Sequence, residues 1–320
     1  MAPKKIKKIF RIPWRALLVL VAGAAAGAGG AGCKGYRTKG FKEPVKLGGK
    51  VVPASVLTDG ERSYALYCRA CHGDKGDGKG PAAFGLRPPP RDFTLGSFKF
   101  GAVPGGTLPN DDDFVRIVRF GLHGTAMRAW DGVPETNLLV TIQYLKTFSP
   151  RWKEEEPGEP IVPTPDPWPS KESAAVDRGQ ALYHGMANCL SCHPAYAPKR
   201  YIYEASKLLT GRGATDFRQD LYGSELTKSE FGVKLLPPDF TRVELRSVRP
   251  EHQREDLYRV IASGVGGTAM PTWRGALPEE DLWALVHFVD SLVKLKGTDV
   301  PQRLRAEWQA EDARWKPPPK

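Results

Sequence analysis

Cys68-Arg69-Ala70-Cys71-His72 and Cys189-Leu190-Ser191-Cys192-His193 decide how this chain is read. Two thiols about one helical turn apart, followed at once by an imidazole, make the C-x-x-C-H signature of covalent haem attachment. The spacing has a chemical reason. Each thiol can add to one haem vinyl group, and the next residue offers its imidazole to the iron. Two other chemistries use paired cysteines. A zinc ribbon separates its C-x-x-C pairs by about 15–20 residues, whereas Cys71 and Cys189 lie far apart and each pair carries its own His. A thioredoxin-like dithiol needs no such His and sits in a βαβ context, which is not found here. The expected cofactors are therefore two covalently attached haem c groups.

The sequence around each motif repeats. Before the first, Thr58 and Glu61 fit a capping box, predicting a helix that carries Tyr64 and Tyr67 up to Cys68. Before the second, Asp177 and Gln180 take the same places, and Gly179 and Tyr183 repeat the spacing of Gly60 and Tyr64. Asp256-Leu257-Tyr258-Arg259-Val260-Ile261 matches Asp113-Phe114-Val115-Arg116-Ile117-Val118. Gly267-Thr268-Ala269-Met270-Pro271-Thr272-Trp273 matches Gly124 to Trp130. A last helix follows Pro134 and again Pro278. Its apolar face is Leu138, Ile142 and Leu145 in one copy and Leu282, Val286 and Val289 in the other. So ordered a repeat means two copies of one domain.

Met127 and Met270 occupy the matching loops, one per haem motif. A thioether there is the expected sixth ligand and raises the potential. Met186, three residues before Cys189, is poorly placed for a distal face. Trp130 and Trp273 close the two loops and are read as lining the cofactors. His123, close to Met127, remains an alternative ligand for the first iron. After His72 a glycine loop runs to Pro81, whose carbonyl is read as acceptor for the ring N–H of His72. No Gly-Lys-Ser/Thr follows those glycines, which argues against a phosphate loop.

Each module resembles a class I cytochrome c: first helix, C-x-x-C-H, glycine loop, Met loop, C-terminal helix. The resemblance implies an all-α fold of two tandem class I cytochrome c domains joined by a Pro-rich linker. The predicted domains are 54–150 and 171–297, with a linker at 151–170. It also implies a close helix crossing, where Gly60 meets Tyr144 and Gly179 meets Phe288. The second copy departs from the pattern through an insertion at about 199–235. His193 and Met270 are 77 positions apart, against 55 for His72 and Met127. That insertion leaves the acceptor for His193 unassigned; its bland reading is a surface loop, its sharper one a partner-docking lid. The tail 298–320 contains Trp308 and Trp315.

The net charge of +11 is misleading. Six positive charges and no acid lie in residues 1–32, which leaves +5 for the rest. No nucleic-acid footprint is needed. Those six charges precede an apolar Ala- and Gly-rich run that ends at Cys33, the architecture of an export signal. The segment resembles a bacterial lipoprotein signal, with residues 1–33 as signal and anchor, lipidation at Cys33, and 34–53 as a polar tether. Cys33 is the one cysteine outside the haem motifs. An uncleaved membrane helix and simple secretion are the alternatives; all place the haems on the periplasmic side of a bacterial membrane.

The expected function is single-electron transfer between redox protein partners (a quinol oxidoreductase, an oxidase or a reductase) by a carrier with no catalytic residues. A dihaem subunit of a larger respiratory complex, a quinol oxidoreductase or terminal oxidase, is the alternative. A dihaem peroxidase is a third reading and needs one iron able to open.

Overall fold

The computed structural model describes residues 38–318. The signal reading and Cys33 lie outside the described residues. Two short strands open the described chain, β1 (Val45–Leu47) and β2 (Lys50–Val52), paired antiparallel with Val45 opposite Val52. All remaining regular structure is helical, in two successive modules.

The first module comprises α1 (Ala54–Tyr67), α2 (Arg69–His72), α3 (Asp111–Phe120) and α4 (Glu135–Lys146). The second comprises α6 (Glu172–His184), α7 (Lys199–Thr210), α8 (Gln253–Ser263) and α9 (Glu279–Val293). Between them stands α5 (Arg151–Glu154), and after them α10 (Val300–Asp312). In each module the first helix crosses the last at a glycine. A Cβ on Gly60 would stand 2.2 Å from the Val140 carbonyl oxygen and 2.7 Å from Tyr144 Cβ. On Gly179 it would stand 2.0 Å from the Ala284 oxygen and 2.7 Å from Phe288 Cβ. Only a residue without a side chain permits this approach, so the crossing pairs read from sequence are the observed ones.

The helix starts differ from expectation. Helix α1 begins four residues before Thr58, behind Pro53. Thr58 Oγ1 instead donates to the Ala54 carbonyl and accepts the N–H of Phe41, while the Glu61 carboxylate accepts the N–H groups of Lys39 and Gly40. The pair caps an incoming strand of chain rather than its own helix. Helix α6 likewise starts at Glu172, which leaves Asp177 in its interior.

The expected tether and linker are packed parts of the fold. Leu47 and Val52 of the hairpin are buried in the first core together with Trp152, Leu108 and Phe114. Trp152 is 0% exposed although it lies beyond the expected domain end. The linker then touches both modules. The N–H of Ile161 donates to the Ala102 carbonyl, and Asp166 meets the ring of His287 at 2.8 Å. The insertion forms α7 and a hairpin bridged at Thr227 and Leu235. The tail docks on it: Asp312 accepts from the Lys199 N–H and the Tyr222 hydroxyl, and Trp308 stacks on Tyr222.

The modules meet along a hydrogen-bonded seam. Gly266 N–H donates to the Lys99 carbonyl at 3.1 Å, and His123 N–H to the Arg246 carbonyl at 2.9 Å. Gly105 N–H donates to Thr272 Oγ1 at 2.7 Å.

Candidate functional site

Helix α1 delivers Cys68 to one end of the first core, and α2 carries Cys71 and His72. The N–H groups of Cys71 and His72 both donate to the Cys68 carbonyl. In the second module those of Cys192 and His193 donate to the Cys189 carbonyl. Each motif is thus one tight turn that gathers two thiols and an imidazole.

The two imidazoles are held alike. His72 Nδ1 donates to the Arg91 carbonyl at 3.0 Å, and its ring stacks on Phe93 at 4.4 Å between centroids. His193 Nδ1 donates to the Pro238 carbonyl at 3.0 Å, and its ring stacks on Phe240 at 4.8 Å. The acceptor for His72 is therefore not Pro81, which is exposed at the start of a 3₁₀ turn. That turn follows Gly80, whose absent Cβ would be 2.3 Å from the Ala70 carbonyl oxygen. The glycine loop has thereby closed onto the motif before Pro81 is reached. Burial lowers the pKa of both imidazoles. With Nδ1 donating, the neutral ring carries its lone pair on Nε2, which is the form a metal binds.

Sequence reasoning missed Arg91, Pro238 and their neighbours, though a signal exists. Pro90-Arg91-Asp92-Phe93-Thr94 and Pro237-Pro238-Asp239-Phe240-Thr241 share Pro-x-Asp-Phe-Thr. In both, the Asp carboxylate accepts from the N–H and hydroxyl of the Thr, which locks the turn that presents the carbonyl and the Phe.

A tyrosine from the first helix anchors each motif from behind. Tyr64 donates to the Gly73 carbonyl and Tyr183 to the Pro194 carbonyl, both at 2.8 Å. The two motifs differ in what holds their outward carbonyls. In the first module the N–H groups of Gly80 and Gly78 take the carbonyls of Cys71 and His72. In the second, Glu225 N–H takes that of Cys192, and the Arg218 guanidinium takes those of His193 and Leu190. The insertion thus replaces a glycine loop with one arginine.

The Met loops match bond for bond. Leu122 N–H donates to the Met127 carbonyl, and Val265 N–H to that of Met270. The hydroxyls of Thr125 and Thr268 accept the Met N–H and donate to the carbonyls of Leu122 and Val265. Gly121 and Gly264 have positive φ, and a Cβ there would collide with the Met carbonyl. Trp130 and Trp273 pin the loop ends through N–H bonds to Val118 and Ala262. Cys189, Met270 and Trp273 pack on the same core. In the first module Trp130 meets Tyr67, next to Cys68, edge-on at 6.4 Å. Met127 is half-buried, and Met186 is exposed.

The donor set fits a covalent haem. Both thiol pairs are unbridged. Desolvation pushes the thiols of Cys68 and Cys189 up to about 12. No group of three or more His, Cys, Asp or Glu side chains gathers as a metal site among the described residues.

A family model described as cytochrome c oxidase, cbb3-type, subunit III matches residues 55–145 and 174–289. The chain belongs to this family. As a member of the cbb3-type subunit III family it is an electron-transfer cytochrome that binds haem c covalently. The two matched segments coincide with the two modules, so the architecture is that of tandem cytochrome c domains. Among solved structures, it is similar to a chain of the reducing HAO-like protein complex of Kuenenia stuttgartiensis. That match has 28% identity and a TM-score of 0.58, over 73% of this chain and 96% of that one. No curated protein matches.

Proposed function

We propose that this cytochrome carries two haem c groups and passes single electrons between redox protein partners on the periplasmic side of a bacterial membrane. The observation that carries the reading is the duplicated ligand frame. Each module has a C-x-x-C-H turn with its imidazole fixed through Nδ1, and a Met loop built from identical hydrogen bonds. When bound, haem supplies an iron that accepts and releases one electron at a time.

The residues divide the work. Cys68 with Cys71, and Cys189 with Cys192, would hold the porphyrin. His72 and His193 would ligate through Nε2, while Arg91 and Pro238 fix their rings. Met127 and Met270 would supply the sixth ligands, with His123 as the alternative in the first module. An iron with both axial places filled leaves none for substrate, which favours a carrier over a dihaem peroxidase. Cys33 would bear the lipid that anchors the chain.

A second reading is a dihaem subunit of a larger respiratory complex. The family description, an oxidase subunit, favours it, and the structural neighbour also comes from a complex.

The test has two parts. Denatured, acetone-extracted protein should exceed the apoprotein mass by two haems. The oxidised protein should show two upfield-shifted Met methyl signals by paramagnetic NMR. A single signal together with rapid peroxide turnover would replace the carrier by an enzyme. For the anchor, Cys33→Ser should abolish lipidation and cleavage after Gly32; unchanged maturation defeats the lipoprotein reading. Co-purification of the native protein with stoichiometric integral subunits would favour the complex over the free carrier.

A further inference from the structure

Three cations stand on the seam between the modules, and among the described residues none of them forms an ion pair. The Arg91 guanidinium lies 3.9 Å from the centre of the Phe231 ring, and Lys99 Nζ lies 5.1 Å from the same centre. Arg246, from the second module, stands on the same seam, where its carbonyl accepts the N–H of His123 at 2.9 Å. Asp92, beside Arg91 in sequence, attracts its guanidinium but makes no ion pair with it, its Oδ1 being engaged by Thr94. Among the described residues, no acid forms an ion pair with Arg91, Lys99 or Arg246. Other half-buried arginines of this chain do find one: Arg249 pairs with Asp256 and Arg254 with Asp290. Half-burying Arg91 and Lys99 over one ring, with the exposed Arg246 on the same seam, is unfavourable unless an anion completes the set.

The position of the cluster indicates which anion. Arg91 gives its carbonyl to His72, and its positive charge acts on that imidazole. Arg246 gives its carbonyl to His123, in the Met127 loop. The cluster is therefore tied to the proximal ligand of the first site on one side and to its distal loop on the other. A haem held by Cys68 and Cys71 between those two would bring two carboxylates of its own, the propionates that it carries opposite its vinyl groups. Phe231 comes from the tip of the insertion hairpin, where a Cβ on Gly267 would meet its ring. That ring spaces the cations through cation–π contact.

We propose that Arg91, Lys99 and Arg246 form one carboxylate site, built by both modules, that takes the propionates of the first haem. The inference rests on the two-haem reading above. It also accounts for the insertion, whose hairpin brings an aromatic face beneath cations of the other module. The first haem's environment then depends on how the second module sits.

The test uses the full-length holoprotein. Arg246→Gln removes the charge supplied by the second module from an exposed position. Lys99→Gln removes one supplied by the first. The propionate methylene signals of the first haem, assigned through Met127→Ala, are read by paramagnetic NMR, and both midpoint potentials by redox titration. Both variants should move the first haem's propionate signals. Both should also lower its potential, because losing a nearby positive charge favours the oxidised iron. Signals and potential of the second haem should stay in place, and Arg246→Lys should restore the first. Unmoved first-haem propionate signals in both variants, at two haems per chain, overturn the proposal. A shift confined to the second haem overturns it too. Fewer than two haems per chain by mass removes the two-haem reading itself, and this proposal with it.

Discussion

The Tyr183 hydroxyl donates to the carbonyl of Pro194, the residue after the haem-motif histidine, as Tyr64 does to Gly73. Both phenols are buried, and burial raises their pKa so that they remain donors. Replacing Tyr183 by Phe leaves the buried Pro194 carbonyl unpaired at almost constant volume, whereas the Gly73 carbonyl keeps the N–H of Gly76 at 3.3 Å when Tyr64 is replaced. We expect Tyr183→Phe to cost about 1–3 kcal/mol and Tyr64→Phe less, about 0.5–1.5 kcal/mol. Denaturant unfolding of the holoprotein measures it, and a loss under about 0.5 kcal/mol would show the bond to be dispensable.

The glycine crossings set two effects against each other. Alanine in a helix interior is favoured over glycine by about 1 kcal/mol. At Gly60 and Gly179, however, the new Cβ would meet a carbonyl oxygen at 2.2 Å or 2.0 Å. Overpacking of that kind costs about 1–3 kcal/mol, so the helices must separate and packing wins. Gly60→Ala and Gly179→Ala should lower the denaturant midpoint. A rise in midpoint would mean that the crossing yields freely.

Arg218 reaches carbonyls of Leu190 and His193 with different nitrogens. Lysine carries a single ammonium and cannot span both. Arg218→Lys should therefore destabilise the second module by about 1–3 kcal/mol and leave the first unchanged. Limited proteolysis with mapping of the first cuts distinguishes them: cuts should begin within residues 199–235.

His184 gives a pH signature. It is 1% exposed, its Nδ1 donates to the Gln180 carbonyl, and its Nε2 accepts the Tyr196 N–H. Burial holds its pKa at about 4, against about 6.5 in an unfolded chain. Between those values the unfolded chain binds more protons. Stability is thus complete above about pH 6.5 and falls as the pH drops toward about 4, by at most about 1.4 kcal/mol per unit. Urea unfolding at pH 7.5, 6 and 5 should show the slope, and His184→Gln should flatten it. An unaltered slope in the variant would place the titration elsewhere.

The motif histidines, the repeated Met loops and the crossing glycines are legible in the sequence because each is written locally or at a fixed offset. The carbonyls that orient the histidines are not, although both belong to Pro-x-Asp-Phe-Thr. That segment follows His72 by 19 positions and His193 by 45, so a repeat aligned on the Met loops passes it by. Thr58 and Glu61 mislead for another reason. Their hydrogen bonds go to Phe41, Lys39 and Gly40, and a capping-box pattern cannot say whose N–H groups it will take. Trp152 reads as linker because prolines and acids surround it, whereas its burial depends on a hairpin far earlier in the chain.

The proline-rich stretch between the modules would be the natural place to divide the gene. The packing argues otherwise. A first half ending at residue 150 would lack Trp152 and leave a hole beside Leu47, Leu108 and Phe114. A second half starting at 171 would lose Asp166 from buried His287 and Thr164 from the indole of Trp283. Each fragment would display raw apolar surface where the other's sequence had lain. The two modules therefore fold as one unit, and exchanging either half with a relative requires carrying the intervening segment along in both directions.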